Sequence, residues 1–373
     1  MLPYEKNSGG MALLEHERCF YLAWQLLLPG QSRRLRDIFA VFGSASAAFN
    51  ASSSEMAAVL GKAQAEEIVK RRDALDLGLE QEKLRRSGFE FVTLVDNNYP
   101  ALLREIFDPP AALFYRGKLE PEEAAVAVVG TRRCSGYGRM VAESLGRELA
   151  EAGITVVSGL ARGVDTAAHR GALAGGGRTV AVLGTGLDLC YPSENARIME
   201  EIAAKGAVIT EFPCGMSCQA WHFPVRNRII AGLSRAVVVV EAKERSGALI
   251  TADIALEQGR EVMAVPGNIT SPLSRGPNQL IKQGARPVTC AADVLEGIGV
   301  EVFSPGDEPG LPALSELEAG ILNILNTEPL SQEDVIQRTG APAHEVLAGL
   351  VYLELKGLIR SLSGRLYAVV PGR

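Results

Sequence analysis

The chain has little cysteine, few aromatic side chains, no excess of positive charge and no long apolar run, and each shortage removes a class of protein. Six cysteines in 373 residues are too few and too scattered for a disulfide scaffold at this size, so reduced thiols are expected. The tightest group, Cys214, Cys218 and His222, offers three zinc ligands but no paired second half, and no metal is expected. A net charge of −6 argues against a surface that coats duplex DNA through uniform basicity. No window approaches the roughly 18 apolar residues of a membrane span. Met1 to Gly10 also lacks the basic stretch, apolar core and cleavage site of a secretory signal, so a cytoplasmic protein without membrane contact is expected. Neither G-x-G-x-x-G nor G-x4-G-K-[ST] is present; neither NAD nor ATP is implied, and no cofactor is expected.

What the chain does contain is enough apolar side chain, 47 % of residues, for roughly two or three well-buried domains. From Leu13 to about Gly88, Leu22, Leu26, Leu35, Ile38, Phe39 and Phe42 recur three or four apart, a helical period punctuated by Gly30, Gly43 and Gly61. Residues 1–88 are expected to form a helical domain in which Arg34 to Leu60 has the proportions of a helix-hairpin-helix or SAM-like unit. It either grips DNA backbone or simply packs, and packing is favoured. Across residues 89–298, β-branched runs alternate with helical stretches: Phe89–Leu94, Ala125–Val129, Ile154–Val157, Thr179–Leu183, Ala207–Thr210, Ala236–Val240 and Val262–Val265. Continuous apolar strands separated by helices predict a Rossmann-like, doubly wound parallel α/β sheet covered on both faces.

Residues 299–312, with SPGDEPGLP at their heart, are rich in Pro, Gly and acid and are expected to be a linker. Residues 313–373 then have the pattern of a winged helix: helix Ser315–Leu325, a helix capped by Ser331, a helix from Pro342 to about Lys356, and strands Leu358–Ser361 and Arg365–Val369 joined at Ser363-Gly364. A winged helix that reads duplex DNA carries basic or amide side chains on its third helix. This one offers mainly Glu345, Glu354, His344 and Lys356, which favours a protein-contact or regulatory role.

The chemistry is expected in the loops after the strands. Gly130-Thr131-Arg132-Arg133-Cys134-Ser135 leads from a strand into a helix, where free N–H groups and a partial positive charge suit a phosphate. The alternative is a tight turn that binds nothing; two arginines and the hydroxyls of Thr131 and Ser135 favour binding. Ser158 to Asp165 supplies Arg162 and Gly163, with Asp165 as a helix cap and His169 as a packed core histidine more readily than a catalytic one. Phe223 precedes Arg226, Asn227 and Arg228. It is the first candidate to stack on a base, ahead of Tyr137 and Trp221, since single strands bind where cations track phosphates and rings meet bases. Either arginine could instead pair with Glu211 or Glu241 to hold loops together. In an open parallel sheet these loops share one edge, and a single cleft accounts for them.

Taken together, VVGTRRCSGYG, VVSGLARGVDTAAHRGAL, VLGTGLDLCYP, FPVRNRIIAGLS, VVEAKERSGALITADIALEQGR and VPGNITSPLSRGPNQLIKQGA, preceded by Tyr99-Pro100 and Asp108-Pro-Pro110, resemble the DprA (Smf) DNA-processing family over roughly Tyr99 to Ala285. The resemblance implies a non-enzymatic mediator of natural transformation. Such a protein would bind and protect incoming single-stranded DNA, displace single-strand-binding protein, load the RecA recombinase and act as a homodimer. Carried over by position, its DNA pocket would use Gly130, Thr131, Arg132, Ser135, Arg162, Gly163, Phe223, Arg226, Asn227 and Arg228. The competing reading is a phosphoribohydrolase-like enzyme acting on nucleoside monophosphates. Those enzymes use P-G-G-x-G-T-x-x-E, whereas Ser246 to Thr251 here carries no acid before Asp253, leaving Asp165, Asp188, Glu211 and Glu241 as proton-transfer candidates.

Overall fold

The computed structural model describes residues 8–300, 314–362 and 366–370; the Phe303–Pro312 linker and the Ser363-Gly364 turn fall outside them. The chain opens with α1 (Ser8–Leu27), α2 (Ser32–Phe42), α3 (Ala45–Asn50), α4 (Ser53–Leu60), α5 (Lys62–Asp73) and α6 (Leu77–Ser87). Their ends follow from local chemistry. Gly43 closes α2 at φ +85°, a left-handed conformation that costs glycine nothing. Ser44, Ser52 and Asp76 accept the first free N–H groups of α3, α4 and α6.

The sheet that follows consists of β1 (Glu90–Thr93), β2 (Ala112–Gly117), β3 (Ala125–Val129), β4 (Thr155–Ser158), β5 (Thr179–Val182), β6 (Ala207–Thr210), β7 (Ala236–Val239), β8 (Glu261–Ala264) and β9 (Arg286–Pro287). Their spatial order is β1-β2-β6-β5-β4-β3-β7-β8-β9. Between and after them run α7 (Ala101–Arg104), α8 (Gly136–Glu151), α9 (Val164–Ala174), α10 (Ala196–Lys205), α11 (His222–Gly232), α12 (Gly247–Glu257), α13 (Arg275–Lys282) and α14 (Ala291–Gly297). Along β3, Val126 and Val128 enter a core with Leu145 and Leu149 of α8, while Ala127 and Val129 enter another with Ile229 and Ile230 of α11. Side chains alternate between faces, and both faces are covered, so the strand reads as an unbroken apolar run.

Two features depart from the sequence reading. From β6 through β9 the sheet is parallel, but β2 runs antiparallel to β6 and β1 antiparallel to β2. Neither β2 nor β9 was expected: β2 begins two residues after Asp108-Pro-Pro110, and β9 is two residues long with a proline. The second concerns the first six helices, which do not form a core of their own. Trp24, Leu27, Leu35 and Ile38 share one with Phe91, Phe114, Leu183 and Val208 of the sheet. At that seam the fully buried Glu211 accepts hydrogen bonds from Ser32 and Arg228, and Gln25 donates to its carbonyl at 2.6 Å.

The C-terminal unit runs α15 (Glu316–Leu325), β10 (Leu330–Ser331), α16 (Gln332–Thr339), α17 (Ala343–Leu355), β11 (Ile359–Leu362) and β12 (Leu366–Val369), with its strands in the order β10-β12-β11. Ser315 and Ser331 cap α15 and α16 with Glu318 and Asp334 completing capping boxes. Ile321, Val335, Val346, Leu350 and Leu353 form its core. Among the described residues no helix is long and apolar enough to cross a membrane.

Phe114, 3 % exposed and 5.0 Å from the Phe91 ring, ties β2 to the N-terminal helices. Phe114→Ala is expected to cost about 3–5 kcal/mol in denaturant unfolding; a loss under about 1 kcal/mol would contradict the shared core.

Candidate nucleic-acid interface

The direction in which successive strands are added reverses between the parallel strands β3 and β7: β3 is followed by β4 on one side, β7 by β8 on the other. Loops leaving the carboxyl ends of two such strands diverge and leave a crevice between them. A cavity of about 730 Å³ lies there, walled by Gly130 to Arg133, Phe223, Arg226, Asn227, Lys243, the start of α12 and Ser271 to Leu273.

Glu241, just past β7 and 3 % exposed, builds the first wall. Its carbonyl accepts the Thr131 N–H at 2.7 Å, and its carboxylate accepts the Ser135 N–H at 2.8 Å and the Ser135 hydroxyl at 2.6 Å. Ser135 also accepts the Gly138 N–H at 3.0 Å, capping α8. Both ends of the Gly130–Ser135 loop are thereby fixed to β7. Its middle is left to solvent: Arg132 and Arg133 are exposed, and among the described residues no carboxylate lies within salt-bridge distance of either.

The second wall hangs on Arg226. This side chain is 4 % exposed, and its Nη1 donates to Gly159 O at 2.6 Å and to Val182 O, joining the ends of β4 and β5. Burial pulls its guanidinium down to about 10, against the opposing pull of Asp165. A Cβ on Gly159 would stand 2.1 Å from Nη1, so only glycine admits the guanidinium. Asp165 is buried and burial raises its carboxyl pKa; it braces the loop before α9, accepting from Gly159 N at 3.2 Å and Ala161 N at 3.4 Å. The N-cap of α9 is Gly163, at φ +79°, which corrects the expectation that Asp165 caps it. Gly163 presses on the first loop, where a Cβ would meet Thr131 O at 2.3 Å.

Phe223 lies half-buried between these walls. The Arg132 guanidinium is 4.3 Å from its ring centroid, that of Arg226 5.9 Å and the Tyr191 ring 6.2 Å. Gly130, Thr131, Arg132, Phe223, Arg226 and Asn227 thus line one cavity, and Arg162 and Gly163 line a groove that adjoins it through Arg132. Arg162 is exposed but held by Glu194 at 2.7 and 2.8 Å, which raises its pKa. Ser135 is committed to Glu241, and Arg228 pairs with Glu211 and donates to Asp108 O. Those last two side chains frame the loops instead of facing the cavity.

The other sequence candidates have places as well. Tyr137 donates to Pro266 O at 3.3 Å, and Trp221 packs edge-on against Phe212 and His222. His222 is buried, stacked on Phe212 at 4.1 Å with Nδ1 bonded to Gly184 O at 2.8 Å; burial lowers its pKa. No group of three metal-ligating side chains occurs among the described residues. Sequence reasoning missed Ser271 to Leu273 as a wall. The Pro-Gly and Ser-Pro pairs after β8 mark a loop at this edge and were the available signal.

His169 is fully buried, and its Nδ1–H donates at 2.7 Å to Thr179, whose hydroxyl is spent on Val156 O at 2.6 Å. Burial, with Arg226 nearby, holds its pKa at about 3 against 6.5 when unfolded. The unfolded chain therefore gains a proton that the folded chain does not as pH falls from 6.5 toward 3. His169 should lose about 1.4 kcal/mol of stability per pH unit in that window. Unfolding of the parent and His169→Gln at stepped pH tests this: their stability difference is expected to move against the parent below pH 6.5, and a constant difference would contradict it.

Comparison with known proteins identifies the family of the chain. The family model described as DNA recombination-mediator protein A matches residues 90–299, and the DprA winged helix domain matches residues 305–365. Protein Smf of Synechocystis sp. is 34 % identical over 94 % of this chain and 98 % of its own. The X-ray structure of DNA processing protein A from Streptococcus pneumoniae is 38 % identical with a TM-score of 0.67, covering 74 % of this chain and 97 % of that one. A Helicobacter pylori structure, described as giving the single-stranded DNA binding mode of its DNA processing protein A, is 29 % identical with a TM-score of 0.51 over 57 % of this chain and 97 % of its own. This chain belongs to the DNA recombination-mediator protein A family, also named DprA or Smf.

Proposed function

We propose that this protein binds single-stranded DNA in the cavity at the β3/β7 switch point and acts there as a recombination mediator without a catalytic step of its own. The observation that carries the reading is the Arg132–Phe223 pair, an unpaired cation 4.3 Å from an aromatic ring at the mouth of the cavity. A free phosphate needs only cations and N–H groups; a ring beside them adds a surface for a base, and together they suit a strand whose bases are unstacked. The ten residues named from the sequence then divide their work. Gly130, Thr131, Arg132, Phe223 and Asn227 contact the strand, Arg162 and Gly163 border its path, and Arg226, Arg228 and Ser135 hold the loops in place.

The hydrolase reading is weakened by what the four candidate acids do. Glu211 and Glu241 are buried and committed to Arg228 and Ser135, while Asp188 accepts Gly215 N at 3.0 Å. Asp165 alone of the four lines the cavity, and it is bonded to its own loop. General acid–base work needs a carboxyl aimed at substrate. Loading of RecA, displacement of single-strand-binding protein, protection of incoming DNA and a homodimeric state belong to this proposal through the family, without a surface assigned to any of them. The winged helix suits a protein contact. On α17, Val351, Tyr352 and Leu355 are exposed beside Glu345 and Glu354, with Lys356 lying over the Tyr352 ring at 3.9 Å.

Titration of labelled single-stranded and duplex oligonucleotides at several salt concentrations tests the proposal. Tighter binding of single strands is expected, with a negative salt slope that Arg132→Ala reduces by about 0.7. Phe223→Ala should weaken binding by about 1–3 kcal/mol, the worth of one stacked base. Equal affinity for duplex, or two variants that bind like the parent, would contradict it.

A further inference from the structure

Beyond the cavity, a second groove of about 420 Å³ opens between the first turns of α8 and the outer side of α9. Arg132 and Arg133 line both the groove and the cavity, so the two are continuous. Arg139 on α8 and Arg170 on α9 are added to them, both exposed. Two carboxylates also line the groove, and each is already engaged. Glu194 holds Arg162 at 2.7 Å, and Glu143 meets Arg360 of the C-terminal unit at 3.4 Å. The second pairing matters because Glu143 stands four residues after Arg139 on the same helix, where it would otherwise be Arg139's natural partner.

Four guanidiniums, Arg132, Arg133, Arg139 and Arg170, therefore face one continuous surface with no carboxylate within salt-bridge distance among the described residues. In a chain of net charge −6, this concentration of unpaired cations is a local field of the opposite sign, which draws and holds anions. Among the described residues no aromatic side chain lines the groove, in contrast to the cavity with Phe223. A surface with guanidiniums and no rings can grip phosphates but offers bases nothing to stack on.

We infer that this groove is a second nucleic-acid subsite, which takes the sugar-phosphate backbone of the strand as it leaves the cavity over Arg132 and Arg133. The inference rests on the single-strand reading of the cavity and extends it: bases are held in the cavity, and phosphates alone beyond it. Arg139 and Arg170 are the residues that distinguish the groove, because neither lines the cavity.

The test uses the full chain with two oligothymidylates, one of about five nucleotides that fills only the cavity and one of about twenty that reaches the groove. Arg139→Ala combined with Arg170→Ala should leave the short oligonucleotide unaffected. The long one should lose about tenfold in affinity, and its log–log salt slope should fall by about 1.4, two phosphates at about 0.7 each. The double lysine variant should keep most of the slope, and removing two exposed arginines elsewhere, Arg85 and Arg197, should not change it. Long-oligonucleotide affinity and slope unchanged in the double alanine variant, while Arg132→Ala still weakens the short one, would overturn the groove and leave the cavity standing. The same unchanged result with a loss of polyglutamate binding would assign the groove to an acidic peptide, and would also overturn it. A parent that binds neither length would take down both readings.

Discussion

The buried guanidinium of Arg226 is the constraint on which the site depends. It reaches between two parallel strands at their carboxyl ends and satisfies Gly159 O and Val182 O with one nitrogen. Its burial is tolerable because Asp165 lies close enough to oppose the desolvation, and because Gly159 leaves the space that a Cβ would fill. From this follow the path of the Ser158–Asp165 loop and the start of α9. Removing one partner of such a buried set costs far more than an exposed pair is worth, since the remaining groups are left unpaired.

Charge is used in two ways around the cavity. Inside the frame the acids are engaged: the Glu241 carboxylate by the Ser135 N–H and hydroxyl, Glu211 by Ser32 and Arg228, Asp165 beside Arg226. At the surface the arginines of the first loop stand, among the described residues, without carboxylates within salt-bridge distance. An overall acidic chain can thus present a basic track, because its acids near the site are spent on structure. Glu211 extends the same logic to the N-terminal helices, which it ties to the sheet through Ser32 and Gln25.

Much of this is legible in the sequence, for identifiable reasons. The strands β3 to β8 announce themselves because both faces are covered, which makes most of their positions apolar. The loops after them announce themselves through glycines and arginines at the ends of those runs. The capping serines of the C-terminal unit, Ser315 and Ser331, fix its helix starts to the residue. What the sequence conceals is burial of charge. Arg132, Arg226 and Arg228 are alike as letters, yet the first is exposed over a ring, the second closes the sheet edge and the third neutralises Glu211. Strand direction is concealed too, since β2 differs from its parallel neighbours only in how it pairs. Arg139 and Arg170 lie on helices in ordinary amphipathic patterns, and only the packing of α8 on α9 brings them to one groove.

The central claim is that the cavity holds a strand by its bases as well as its phosphates, through Phe223. The most direct measurement compares the affinity of a short single strand with that of the same strand made abasic, for the parent and for Phe223→Ala. The account predicts that the parent binds the base-bearing strand more tightly by about 1–3 kcal/mol and that the preference collapses in the variant. Equal affinity of the parent for both strands would contradict it, and so would a preference that survives the loss of the ring.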